Sequence, residues 1–196
     1  MIGVDEHAAG DGALPNRVRA AFAQGAPAVV VLCAAGARIE PARAELRALD
    51  GMLAATVAEL GARVSRSATD GLAAWAASLS GPIGVDVQSR PDREHPLDTT
   101  LLAAALHPSE RRWLAAQADT EAAFARLWAG KEAVLKAFGV GLAWSPRAVP
   151  VLPIDASWRR VQVPLLGHAW LSHPDASGTP DIALAVALNA GQSRPD

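Results

Sequence analysis

Two short segments carry residue types whose spacing suits shared chemistry. In Pro82–Gln88, strict alternation places Ile83, Val85 and Val87 on one face of a strand and Asp86 and Gln88 on the other. In WAGKEAVLKAFGVGL, residues 128–142, a spacing of four puts Trp128, Glu132 and Lys136 on one helical stripe, with Lys131 beside it. Lys131 and Lys136 are the only lysines in the chain. Together the segments offer two carboxylates, a carboxamide and two ammonium groups. That set suits a polyphosphate with Mg²⁺, a hard cation that takes one or two carboxylates plus phosphate oxygens and waters. Asp86 and Glu132 would be the carboxylates, and the lysines would neutralise the remaining phosphate charge. A blander reading stands beside it: Glu132 and Lys136 form an ordinary i,i+4 surface pair, and Asp86 faces water.

The elements that must position these groups follow from pattern. Ala28 to Cys33 and Gly71 to Ser78 read as strands, and Pro41 to Leu60, with Leu46, Leu49, Leu53, Val57 and Leu60 in register, as a helix. Leu97–His107 and Ser109–Gln117 read as helices separated by Pro108, with Ser109 as N-cap. Asp119 to Phe138 is the strongest helix, stopped by Gly139. Arg160–Leu165, His168–Ser172 and Ile182–Leu188 are strand-like, and residues 1–16 form a polar lead-in. A helix followed by strands occurs twice, and a faint echo between DGLAAWAAS and DIALAVALN suggests two α+β halves.

Composition excludes several classes. Of 196 residues, 51% are apolar and 19% charged, enough for a packed core. The 18 Lys+Arg against 20 Asp+Glu give a net charge of -2, which argues against broad electrostatic binding to nucleic acid or an anionic membrane. Asp5, Glu6 and Asp11 stand where an export signal would carry positive charge. The longest apolar run, Ala26 to Ala37, falls short of the roughly 20 residues that span a bilayer. A single Cys33 rules out an internal disulfide, so a reducing cytoplasm is expected. His7, His95, His107, His168 and His173 lack metal-ligand spacing. Arg90, Arg93, Arg111 and Arg112 make a modest basic patch, either solvated surface or a landing site for an acidic partner.

In order, spacing and wording, GVDVQ at 84–88 and the 128–142 segment resemble the two signatures of the surfactin-type 4′-phosphopantetheinyl transferases. Those signatures are a G-[IV]-D-[IV]-E strand and, further along, a W-x-x-K-E-x-x-x-K-x-x-G-x-G-L helix. His107-Pro-Ser-Glu110 resembles the family's linker between them, and AWLS and DIALAVAL fit its closing strands. The resemblance implies an α+β fold of two similar pseudo-twofold halves, each a helix on a small antiparallel sheet, with the site in the cleft between. The halves would be 1–80, shortened, and 81–196. It implies Mg²⁺-dependent transfer of the phosphopantetheine arm of coenzyme A to a serine of an acyl or peptidyl carrier protein, by a cytoplasmic monomer. Asp86, Gln88 and Glu132 would hold the metal. Glu132 would be the base, and Lys131 and Lys136 would steady the phosphates. Arg43, Arg47 and Arg66 would contact coenzyme A. Arg66, in Ser65-Arg66-Ser67, takes the place of a family histidine near the 3′-phosphate. Gln88 stands where most relatives have glutamate, and the family's Gly-Lys-Pro segment is missing, since Gly61 runs straight into Ala62 and Arg63. Those departures support a rival reading, a degenerate module that binds coenzyme A or a carrier protein without transfer.

Overall fold

A computed structural model describes residues 14–33, 39–69, 72–91, 97–174 and 182–189. Residues 1–13 of the lead-in expected over 1–16, together with Arg93 and His95, lie outside the described residues, and its last three, Leu14 to Asn16, begin a helix instead. In chain order the elements are α1 (Leu14–Ala23), β1 (Ala28–Cys33), α2 (Ile39–Leu60), β2 (Arg63–Thr69), β3 (Leu72–Ser78) and β4 (Ile83–Ser89). Then come α3 (Thr99–Ala105), α4 (Pro108–Ala115), α5 (Thr120–Ala137), two 3₁₀ turns at Gly141–Ala143 and Pro146–Ala148, β5 (Arg159–Val163), β6 (Gly167–Ser172) and β7 (Ile182–Asn189). Two antiparallel sheets form, in the orders β1-β3-β2 and β4-β7-β6-β5.

Side-chain alternation dictates how these stack. In β3, Ala73, Trp75 and Ala77 face α1 and α2, where they meet Leu14, Val18, Phe22, Leu49 and Leu53. Leu72, Ala74 and Ala76 turn the other way and pack on Ile83, Val85 and Val87 of β4 and Leu184, Val186 and Leu188 of β7. The opposite face of β7, Ala183, Ala185 and Ala187, lies under Ala129, Ala133 and Ala137 of α5. The result is four layers: α2, first sheet, second sheet, α5. This is the α+β, two-half architecture that the motifs implied. Each fully buried Leu or Val contributes about 1.5–3 kcal/mol of apolar burial, and they are spread over helices and sheets alike, from Leu49 and Leu53 on α2 and Leu127 and Leu135 on α5 to Val85 and Val186 between the sheets. The sheets also meet edge to edge, where the buried Ser65 Oγ on β2 accepts the Val85 backbone N–H of β4 at 3.0 Å.

Two features differ from the sequence reading. Helix α1 was not expected, because its ten residues show only three large apolar side chains, Leu14, Val18 and Phe22, amid arginines. Their spacing of four nevertheless gives a buried stripe. The N-cap of α4 is His107, not Ser109. Pro108 takes the first helical position, where its missing N–H costs nothing, and Glu110 closes a capping box by accepting the His107 N–H at 2.8 Å. Among the described residues no helix is long and apolar enough to cross a membrane.

Candidate functional site

Gly84 sets the site's geometry. A Cβ there would collide with the Ala133 carbonyl oxygen and lie 2.6 Å from the Ala137 backbone nitrogen. Only glycine allows α5 to rest its backbone on β4. That contact brings Glu132 and Lys136, which flank Ala133 on the helix, over the polar face of the strand.

Asp86 is the centre of the cluster. It is buried, and its Oδ1 accepts the Lys136 Nζ at 2.6 Å and the Ser67 hydroxyl at 2.6 Å. Its Oδ2 accepts the Gln88 amide at 2.7 Å. Lys136 Nζ also donates to the Val85 carbonyl at 3.1 Å and lies 3.8 Å from Glu132 Oε2. Burial first, and the Asp86 charge second, push the Glu132 carboxyl above the usual carboxylate range. Lys136 and the Trp128 indole pull it the other way. Asp86, Gln88, Glu132 and Lys136 are thus brought together.

Their oxygens are hard donors, and the cluster already holds one cation, the Lys136 ammonium, so the set fits a hard metal ion. Gln88 presents its nitrogen to Asp86, and a half-turn of the amide presents its oxygen. No group of three or more His, Cys, Asp or Glu comes together among the described residues.

Lys131 does not join this group. One residue along α5 from Glu132, it points to another side of the helix and is fully buried. Its Nζ lies 2.7 Å from Glu110 Oε2 and donates to the carbonyls of Pro146 at 3.0 Å and Val149 at 2.6 Å. Three acceptors use all three ammonium protons. Burial holds its pKa below the ordinary lysine value, with Glu110 opposing. Glu110, also fully buried, accepts the Val151 N–H at 2.8 Å through Oε1. The expected phosphate role of Lys131 is therefore corrected: it ties α5 to α4 and to the loop after α5.

A groove of about 930 Å³ opens between the halves, lined among others by Val57, Arg63, Arg66, Lys136 and Phe138. Arg66 is half-exposed and pairs through Nε with Asp50, whose other oxygen accepts the Trp75 indole at 3.1 Å. Arg43 and Arg47 are exposed on α2 but do not line the groove. Roughly 15 Å of helix, at 1.5 Å per residue, separates Arg47 from Val57, and Arg43 is a turn further. Arg90 of the expected basic patch pairs with Asp119 at 2.6 Å.

The sequence reading missed Arg63, Ser67 and Glu110. Arg63 entered the sequence reading only as a residue that follows Gly61 where the Gly-Lys-Pro segment is missing. Ser67 sits in a Ser-x-Ser pattern that places it near the Asp86 strand. Glu110 was read only as the last residue of the His107-Pro-Ser-Glu110 linker.

A family model described as the 4′-phosphopantetheinyl transferase superfamily matches residues 82–187. The match covers more than half of the chain and runs from the start of β4 into β7, including all of α5. A search of curated proteins finds no match.

Proposed function

The chain belongs to the 4′-phosphopantetheinyl transferase superfamily, and on that premise we propose that it moves the 4′-phosphopantetheine arm of coenzyme A onto a serine of an acyl or peptidyl carrier protein. One observation carries this reading: Glu132 and Lys136 converge on Asp86 beside a groove that Arg63, Arg66 and Lys136 make basic. The groove takes the anionic coenzyme, with the two guanidiniums and the ammonium set against its phosphates. Glu132, held by burial above the usual carboxylate range, accepts in its ionised form the proton of the carrier serine hydroxyl. The serine oxygen then bonds to the phosphorus that bears pantetheine. The pyrophosphate P–O bond breaks, and 3′,5′-ADP departs with the electron pair.

Asp86, Glu132 and Gln88 would hold Mg²⁺, which when bound supplies Lewis-acid neutralisation of the pyrophosphate. Ser67 and Gln88 orient the Asp86 carboxylate by hydrogen bonds. On this reading the acceptors are carriers of fatty-acid, polyketide or nonribosomal-peptide synthesis, and the proposed setting is the cytoplasm. The rival, a binding module without transfer, is not favoured, because Asp86, Glu132 and Lys136 stay assembled despite Gln88.

The test is to incubate the protein with coenzyme A, Mg²⁺ and several apo-carrier proteins and weigh the carriers. A gain of one phosphopantetheine is expected, and binding without mass gain would overturn the reading. Glu132→Gln should lower the rate about 10²–10⁴-fold with the fold intact, as loss of a general base does.

A further inference from the structure

The geometry points to Lys136 as a resident counter-cation that closes the divalent-cation position in the free protein and opens it when a pyrophosphate-bearing ligand enters the groove. The identity of that position rests on the transferase reading; the role of the lysine rests on distances. In helix α5 alone, Lys136 would pair with Glu132 one turn back. Its Nζ instead lies closer to Asp86 Oδ1 on β4, at 2.6 Å, than to Glu132 Oε2, at 3.8 Å, and adds the Val85 carbonyl at 3.1 Å. The ammonium is therefore bonded to two oxygens of the strand while it stays within ion-pair range of the helix carboxylate, so it occupies the space between Asp86 and Glu132.

Asp86 Oδ1 is doubly occupied, since Ser67 donates to it as well. Gln88 brings an N–H to Oδ2 where a glutamate would add negative charge. A divalent ion approaching the free protein meets two carboxylates, one of them already neutralised. Such a site is too poor in charge to strip water from a strongly hydrated cation.

The same side chain has a second place to go. Lys136 is 28% exposed and lines the groove with Arg63 and Arg66. A pyrophosphate there offers the ammonium more charge than a carboxylate shared with Ser67 and Gln88. Once Nζ turns to the phosphates, Asp86 Oδ1 is released on the metal side. Phosphate and metal binding are then coupled positively, and the coupling is reciprocal. Lys131 has no such choice, because its three acceptors are buried with it.

Two measurements without any carrier protein test this. Mn²⁺ is titrated into the free protein, without coenzyme A, and the free-ion paramagnetic signal is followed. Lys136→Met and Lys136→Gln should each bind one Mn²⁺ at least about tenfold more tightly than wild type, because a positive charge beside the ligands is gone. Adding Asp86→Asn to Lys136→Met should remove the gain. Folded Lys136 variants that bind Mn²⁺ no better than wild type would overturn the proposal, whereas the transferase reading is decided separately by the wild-type carrier mass assay.

The wild-type protein supplies the second measurement. With two lysines in the chain, a spectrum of ¹⁵N-labelled lysine side chains holds two Nζ signals. Coenzyme A should move the Lys136 signal and leave that of Lys131, whereas Mg²⁺ alone should move neither. Displacement of the Lys136 signal by Mg²⁺ alone, at the concentration that acts with coenzyme A, would also overturn it.

Discussion

Replacing Gly84 by alanine adds one methyl group at the contact on which the site depends. The new Cβ would meet the Ala133 carbonyl oxygen, lie 2.6 Å from the Ala137 nitrogen and lie 2.9 Å from the Ala133 carbonyl carbon, where real Cβ contacts stay above 3.0 Å. All three atoms are helix backbone, so no side chain can turn aside to make room. Helix α5 must lift from β4 by about 1 Å, an overpacking that costs about 1–3 kcal/mol, here toward the upper end. For a chain of this length, 3 kcal/mol corresponds to a fall in Tm of roughly 6–12 °C. The lift also carries Glu132 and Lys136 away from Asp86. A displacement of that size at reacting groups costs about 100-fold in rate. Gly51→Ala is the control. Gly51 lies exposed inside α2 with nothing within 4 Å of its would-be Cβ, so alanine there should stabilise by about 0.5–1 kcal/mol. Calorimetry gives Tm, and the carrier mass assay gives turnover of the folded protein. Wild-type Tm and turnover in Gly84→Ala would refute the argument that close helix–strand contact builds the site.

Two further perturbations follow from buried groups. His173 is buried against Gly130 with its pKa lowered to about 4, chiefly by burial and then by Arg159, so the native state stays neutral while the unfolded chain takes up a proton near pH 6.5. Stability should therefore fall as pH drops from 6.5 to 4, by about 3 kcal/mol in all, and urea unfolding of His173→Leu should lack that share of the slope. Lys131→Met leaves the Glu110 carboxylate buried and unpaired, which should lower stability by about 3–5 kcal/mol while turnover per folded molecule survives. Severe loss of turnover in fully folded Lys131→Met would return Lys131 to the reacting groups.

The core of the site was legible because two simple periods met. Alternation in β4 put Asp86 and Gln88 opposite the apolar face, and a spacing of four in α5 put Glu132 and Lys136 on one side. Nothing local decided where Lys131 points. It sits about 100° around the helix from Glu132, and its fate depends on Glu110, a residue of α4 that entered the sequence reading only as part of a linker. Arg43 and Arg47 failed for a related reason. A helix of 22 residues is about 33 Å long, and sequence does not say which end meets the groove. Helix α1 was hidden because only three large apolar residues in ten, Leu14, Val18 and Phe22, resemble a loop until a partner surface exists. IALAVALN read only as strand-like, and the structure shows what its alternation of large and small residues serves: β7 has α5 on its alanine side and the other sheet on its large-residue side.

That alanine side explains why one helix can carry two lysines with separate tasks. Ala129, Ala133 and Ala137 lie on Ala183, Ala185, Ala187 and Gly84, so α5 sits closer to its sheet than a helix with leucines at those positions would. At that distance Lys136, whose chain is long, folds back onto the short Asp86 side chain and still reaches the groove. The neighbouring side of α5 faces α4 and the 146–151 loop, where Lys131 finds a carboxylate and two carbonyls and no water. Desolvation fixes that ammonium permanently, because leaving would strand Glu110 in an apolar core. Partial exposure leaves the other free to exchange one anion for another. The difference between a structural and a functional lysine on α5 is therefore set by helical phase: five residues at 100° each put the two about 140° apart around the axis, one toward α4 and the other toward β4.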